Sequence, residues 1–470
     1  MATETAQADR PRAIPRSMSL DSRTHESPPI RGIADLVAWF RGKERPYEDW
    51  KVGLEHEKVL LRAGTTEPVP YPGPTGVEGV LRGFTTFGYE PFEEEGRIIA
   101  SQKRGLTVSI EPGGQIELSG RPFPDVHVIA AELDRHIEKC REIAARTGVE
   151  FLAVGYRPWG SPATSPWMPK NRYAVMRPFL AARGRLAEDM MAMTASAQAS
   201  FDFSDERDMG EKLRVALAVQ PAVTALMANS PIVGGRPIGW KSYRTKVWFE
   251  TDPARCGILP FVFEPGFADR PYRSYVEWAL DVPMIFLRRR GAYLDPQGRT
   301  FRAFLAEGLG GERATIADWE DHLTTVFPDV RVKSVVEVRG ADACGPELSK
   351  ALVALWKGIL YDRGARAEAF EAVGSLSLDE RRAFVEVAGR DGLAGRIAGR
   401  RVRDIAGAVV EAAARGLARE HCCGEGGKDE CLWLAPLRER VASGRSPADD
   451  ALEVFAKGGD RALASFLRCA

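Results

Sequence analysis

The chain has 470 residues, 44% of them hydrophobic and 28% charged, with 65 Lys and Arg against 65 Asp and Glu. That length can bury one large core or a few ordinary ones, and the absence of net charge provides no field favouring nucleic acid or an anionic membrane. No apolar run approaches the roughly 18 residues of a membrane span, no apolar signal core opens the chain, and seven irregularly spaced cysteines suit a reducing compartment, so a cytoplasmic globular enzyme is expected.

Residues 1–28 are polar, with scattered Arg, Pro and Ser, and read as a disordered tail; Glu4, Asp9, Asp21 and Glu26 argue against a transit peptide. A short amphipathic helix follows over Ile33–Phe40, then a strand over Lys51–Arg62. Side chains alternate along a strand, so Glu55 and Glu57 share one face while Leu54, His56 and Leu60 take the other. His56 is therefore expected to be a packed core residue rather than a catalytic one. The Pro and Gly cluster from Pro68 to Gly83 reads as a long loop.

A second acidic strand begins near Leu106 and is interrupted by Pro112-Gly113-Gly114, which leaves Gln115 and Glu117 on one face, with Glu111 just before the break. Residues 125–147 carry apolar side chains at helical spacing and stop at Gly148, and Pro158–Pro169 reads as loop. Thr194–Ser204 alternates polar and apolar, predicting an antiparallel strand that presents Gln198 beside Ser196 and Ser200. A helix over Asp205–Asn229, kinked at Pro221, precedes a further strand with Ser242, Arg244, Lys246 and Trp248 on one side. The last strand, Arg331–Arg339, aligns Val335, Glu337 and Arg339.

Beyond Gly345 the pattern turns helical, with one stripe through Leu348, Leu352, Leu355, Trp356 and Ile359 and another through Ile405, Val409 and Leu417. Ser446-Pro447-Ala448-Asp449 has a cap, a first-turn proline and a carboxylate at the third position, the marks of a helix start. The organisation expected is a catalytic sheet-and-helix region over 29–365 and a helical region over 366–470 packed on the same domain.

Carboxylates crowded on one face repel each other unless something positive lies between them, and hard oxygen donors without Cys or His companions suit Mg²⁺. If the strands lie side by side, Glu55, Glu57, Glu111, Glu117, Gln198 and Glu337 form a floor for two or three Mg²⁺ and a triphosphate, with Arg244 and Arg339 available to phosphate or carboxylate. There is no P-loop, since Gly424–Lys428 lacks the spacing, and no GxSxG or HExxH motif. His421-Cys422-Cys423 and Cys431 are the only clustered thiols; two adjacent cysteines poorly serve one tetrahedral zinc, so surface thiols are expected.

With Gly53-Leu-Glu-His-Glu-Lys58, Ser109-Ile-Glu-Pro-Gly-Gly-Gln-Ile-Glu-Leu-Ser-Gly120, Met168-Pro-Lys170, Ala228-Asn-Ser-Pro231, Leu259-Pro-Phe-Val-Phe263, Ala279-Leu-Asp-Val-Pro-Met284 and Glu337-Val-Arg-Gly-Ala-Asp342 in order, the chain closely resembles the plant and proteobacterial type of glutamate-cysteine ligase. The resemblance implies an α+β fold, a glutamine-synthetase-like curved antiparallel sheet with helices on its back. It also implies the reaction: ATP activates the γ-carboxylate of glutamate, and the amine of cysteine displaces phosphate to give γ-glutamylcysteine, on the way to glutathione.

The substrates implied are glutamate, cysteine and ATP, in a monomer or homodimer with no nucleic-acid or membrane partner. Glu55, Glu57, Glu117 and Glu337 are the implied metal ligands, with Glu111 added. Arg244 matches the position suited to the glutamate carboxylate, with Trp248 lining the same pocket and Gln198 contributing, and Arg339 is expected near the transferred phosphate. Where the family carries Arg, Cys and Asn, this chain has Met193, Ala195 and Ser200. The second change, with no cysteine between Leu294 and Gly311, implies that the plant disulfide switch does not operate here. The other two leave open a ligase with a different amine acceptor; an inactive nucleotide-binding relative is a separate alternative, against which the retained glutamates argue.

Overall fold

In the computed structural model, which describes residues 27–420 and 427–470, one eleven-residue strand, β1 (Val52–Arg62), runs through the middle of a nine-stranded sheet. The other strands are β2 (Glu90–Glu94), β3 (Arg97–Lys103), β4 (Leu106–Ile110), β5 (Ile116–Ser119), β6 (Val149–Leu152), β7 (Ser196–Phe201), β8 (Val330–Val332) and β9 (Val336–Asp342). Their order is β8-β9-β7-β1-β5-β4-β3-β2, with β6 pairing the second half of β1, and every pairing is antiparallel.

An antiparallel sheet can give one face to the core and the other to chemistry. Register puts Leu54, His56, Val108, Leu118, Ala197, Ala199, Val336 and Val338 on one side, all buried. Helices Val126–Thr147, Glu206–Met227 and Pro346–Tyr361 pack against that side. The expected α+β architecture is thus present. His56 is fully buried there, its Nε2 2.9 Å from the Cys344 carbonyl, as a core histidine should be.

The C-terminal helices, Arg363–Val373, Leu378–Asp391 and Val402–Glu420, pack on the Glu206–Met227 helix, and Val402–Glu420 also lies along Pro346–Tyr361. Helix Pro447–Leu467 begins with the capping box read at Ser446 and Asp449. After it the chain returns to the sheet: Cys469 N–H donates to the Phe151 carbonyl (2.9 Å), Phe151 N–H to Ala470 (3.0 Å) and Ala153 N–H to Leu467 (2.9 Å).

Several elements differ from their sequence patterns. Val77–Gly83 is a helix inside the supposed loop, because Val77, Val80 and Leu81 bury one face while the surrounding Pro and Gly hide the period. The interruption expected at Pro112–Gly114 is present, as the tight turn of a hairpin: Gly114 N–H bonds the Glu111 carbonyl at 2.9 Å, and a Cβ on Gly113 would fall 2.0 Å from the Ala192 carbonyl oxygen. Arg331–Arg339 is likewise a hairpin, β8 and β9, rather than one strand. Helices Asn171–Ala181 and Ala187–Met193 have no strong amphipathic signature and are not legible beforehand.

Most of the supposed tail, residues 1–26, lies outside the described residues; Ser27 and Pro28 are already anchored, bonding Ala317 N–H and Ile316 N–H. The thiol cluster at His421, Cys422 and Cys423 also lies outside them, while Cys431 is half-buried and donates Sγ to the Ala414 carbonyl. Among the described residues no helix is long and apolar enough to cross a membrane.

One buried ion pair joins three helical segments. Glu430 Oε2 lies 2.6 Å from Lys357 Nζ, and its Oε1 accepts the Val126 N–H at 2.7 Å at the start of helix Val126–Thr147. Neither side chain is more than 3% exposed. Removing one partner strands the other charge in the core, so Glu430→Ala should cost about 3–5 kcal/mol of stability. Urea unfolding checks this, and a loss of less than ~1 kcal/mol would show that the pair does not anchor the helices.

Candidate active site

Sheet register assembles the acidic floor in cross-strand rows. Glu57 stands opposite Glu117, which stands opposite Ser109; one row on, Glu55 faces Ser119 on one side and Gln198 on the other. A third row carries Gly53, Ser200, Glu337 and Arg331. Two carboxylates directly opposed on neighbouring strands are destabilising by themselves. Local hydrogen bonds hold them: Ser196 N–H (2.7 Å) and Oγ (3.1 Å) donate to Glu57, and Ser119 Oγ donates to Glu117 at 2.6 Å.

The electrostatics divide the floor in two. Burial, followed by the charges of Glu117 and Glu337, pushes Glu55 up to about 8. Burial, then Glu111 and Glu57, pushes Glu117 to about 8, and burial raises Glu111 to about 7. Glu57 is also raised, mainly by burial, with Arg244 opposing. Glu337 is the opposite case. Burial is its largest perturbation, yet Arg331, Lys333 and Arg339 outweigh it and hold the carboxyl well below its usual range. Their nitrogens lie 2.7, 3.6 and 2.9 Å from its oxygens.

The segment carrying Arg244 and Trp248 is a helix, Tyr243–Phe249, and not the expected strand. Its Ser, Tyr, Arg, Thr, Lys, Val, Trp alternation satisfies a period of two, but no strand pairs with it, and Ser242 Oγ caps the Thr245 N–H at 3.3 Å. Asp342 secures that cap by accepting from Ser242 Oγ at 2.8 Å and Ser230 Oγ at 2.7 Å. Arg244 and Trp248 nevertheless stay together, because residues four apart share a helix face. Arg244 Nη2 donates to the Arg339 carbonyl at 2.9 Å, while its Nε and Trp248 Nε1 have no partner.

These elements surround an open cleft enclosing about 970 Å³, mouth included. Of the residues singled out by sequence, Glu55, Glu57, Glu111, Glu117, Arg244 and Trp248 line it. Gln198, Glu337 and Arg339 do not; they form a bonded group beside the floor, with Arg339 Nη1 donating to Gln198 Oε1 (2.6 Å) and Glu337 Oε2 (2.9 Å). Sequence reasoning missed four cations of the lining, Lys170, Arg172, Arg331 and Lys333. Lys170 lay within a motif already noted, but Arg331 reaches Glu337 only through the hairpin, whose Lys333-Ser334 corner has no glycine or asparagine to announce it.

The model of glutamate-cysteine ligase family 2 matches residues 51–464. The chain belongs to that family. The chloroplastic glutamate-cysteine ligase of Medicago truncatula is 38% identical over 433 residues, which span 90% of this chain and 81% of the relative. Ligase A of Oryza sativa subsp. japonica, also chloroplastic, is 35% identical over 467 residues, 97% of this chain and 91% of its own. Among solved structures, a Francisella tularensis glutamate-cysteine ligase in complex with AMP superposes with a TM-score of 0.55, covering 89% of this chain and 87% of that one at 11% identity, so the two share the fold.

The cleft's donor set suits Mg²⁺. Its lining offers carboxylate and hydroxyl oxygens and no Cys or His. Among the described residues no three acidic, His or Cys side chains converge on one point as a closed cage. Mg²⁺ does not require one, since it commonly binds through one or two carboxylates plus waters and substrate phosphates.

The raised carboxyls give a pH test. A carboxyl whose folded pKa lies above its unfolded value takes up a proton on folding, so its contribution is complete at low pH and is lost as pH rises to the folded pKa. Glu55→Gln removes that titration. Without divalent ions, the stability of Glu55→Gln relative to the parent should therefore improve steadily from pH 5 to about 8 and then level off. With Mg²⁺ the order should reverse at pH 8. A pH-independent difference in thermal midpoint would show that Glu55 is not held protonated.

Proposed function

We propose that this cleft is where the chain, a glutamate-cysteine ligase by family, joins the γ-carboxylate of glutamate to the amine of cysteine at the expense of ATP, making γ-glutamylcysteine for glutathione synthesis. The observation that carries the reading is one cleft with four desolvated carboxylates on its floor and Arg244, Lys170 and Arg172 on its walls. In the first step a γ-carboxylate oxygen attacks the terminal phosphorus of ATP and ADP leaves. In the second the cysteine nitrogen attacks the acyl carbon, phosphate departs with the C–O bond electrons, and the nitrogen loses a proton.

Glu55, Glu57, Glu111 and Glu117, with Glu337 as a further donor, would hold two or three Mg²⁺, which would supply positive charge to offset the phosphates. Arg244 takes the α-carboxylate of glutamate as a guanidinium fork, and Trp248 closes the pocket beside it. Arg339, fixed beside the floor by Glu337 and Gln198, would offset charge on the transferred phosphate. Gln198 thus acts on substrate through Arg339.

A different amine acceptor gains nothing from the two departures that suggested it. Met193 is fully buried with Sδ accepting from Arg157 Nη2 at 2.9 Å, and neither it nor Ser200 lines the cleft. A cytoplasmic monomer or homodimer remains the reading proposed for the enzyme.

The test is phosphate release from ATP with glutamate, cysteine and Mg²⁺, with the product identified by mass. Release should require cysteine and yield γ-glutamylcysteine; release with glutamate alone, or only with another amine, would overturn the acceptor. Glu55→Gln and Glu337→Gln should each lower kcat by about 100-fold or more. Unchanged turnover in both would remove the metal floor.

A further inference from the structure

The residue just before helix Asn171–Ala181 is a lysine that the mechanism above does not employ. Lys170 is 2% exposed and lines the cleft, yet its Nζ has no hydrogen-bond partner. Its position is rigid: Lys170 N–H donates to the Met168 carbonyl (3.0 Å), and Met168 N–H donates to Pro112 in the β4–β5 turn (2.9 Å). Tyr173 also lines the cleft, its ring 5.4 Å from Nζ and its hydroxyl on the Ile110 carbonyl at 2.7 Å.

Two residues on, Arg172 lines the same wall with only long contacts, Nη2 to Thr324 Oγ1 and Nε to Met176 Sδ, both 3.4 Å. A desolvated ammonium without a partner costs stability. It is retained where a ligand completes it. The acids that act on Lys170 are Glu111, Glu117 and Glu94, and none is within hydrogen-bond distance of Nζ. An anion entering beside Glu111 and Glu117 must bring its own cations. A metal-bound polyphosphate does so, whereas a lone carboxylate does not.

We propose that Lys170 donates Nζ to the β,γ-phosphate oxygens of the nucleotide, with Arg172 as a second cation beside it, so that these two recognise the phosphate chain and Arg244 recognises glutamate. This rests on the reading of the cleft as an ATP site. Lys170 is then a nucleotide-contacting residue, separate from the acidic floor that holds metal.

The test compares Mg²⁺ with the β,γ-imido analogue of ATP against Mg²⁺ with AMP, by calorimetry on the full chain. Lys170→Met should weaken the imido analogue about 10- to 100-fold, the range for losing a charged hydrogen bond, and leave AMP within about twofold. Lys170→Arg should keep the analogue within about fivefold. The thermal midpoint of ligand-free Lys170→Met should equal or exceed that of the parent, since an unpaired buried charge has been removed.

Equal weakening of AMP and the analogue, or a lowered ligand-free midpoint, would mean that Lys170 only supports the cleft, and unchanged affinity for both would place the phosphates elsewhere; each outcome overturns the proposal. The comparison needs no turnover. A parent that binds the analogue through Lys170 but makes no γ-glutamylcysteine would sink the acceptor reading and leave this one standing.

Discussion

The molecule is organised around a repulsion. Glu55, Glu57 and Glu117 are brought together by sheet register on the half-buried, cleft-facing side of the sheet, and they stay neighbours while β1 and β5 stay paired. The rest of the site answers that constraint. Serines from β5 and β7 donate to two of the carboxylates, Arg244 approaches from a capped helix, and the opposite face of β1 carries Lys58, fully buried one residue from Glu57. Without a ligand the repulsion is relieved by protons, which burial and the neighbouring carboxylates keep on Glu55 and Glu117 up to about pH 8.

Against this, Glu337 shows what a satisfied carboxylate looks like in the same neighbourhood. Three cations hold it ionised, and through it Arg339 and Gln198 are locked into one group. The sheet therefore has a neutralised edge at β8 and β9 and an under-neutralised centre at β1 and β5. Positive charge introduced by a ligand is drawn to the centre, while the edge presents donors already fixed in direction.

Legibility from the sequence followed locality. The parity of Glu55 and Glu57, the burial of His56 and the start and stop of helix Val126–Thr147 depend on neighbours a few residues away, and a period of two or 3.6 reports them directly. The Ser242–Phe249 pattern misled because Tyr, Thr, Val and Phe favour strands wherever a strand partner exists, and here none does. The Arg331 to Glu337 contact was invisible because it depends on a hairpin corner without turn residues. Lys170 was quoted as part of a motif but could not be told from a surface lysine, since its burial depends on tertiary contacts such as the bond of the Met168 N–H to Pro112.

The lacing of residues 467–470 onto β6 bears on how the protein is made. β6 pairs with the second half of the same strand that carries Glu55 and Glu57, and its outer backbone groups are met only by residues more than 300 positions later. During synthesis the central strand can begin pairing early, but its flank remains an open edge until residue 470 has left the ribosome. Such long-range closure is slow and leaves an unpaired strand exposed meanwhile. The nascent chain is thus most vulnerable to association with other chains through β6, at a time when every residue lining the cleft has already been synthesised.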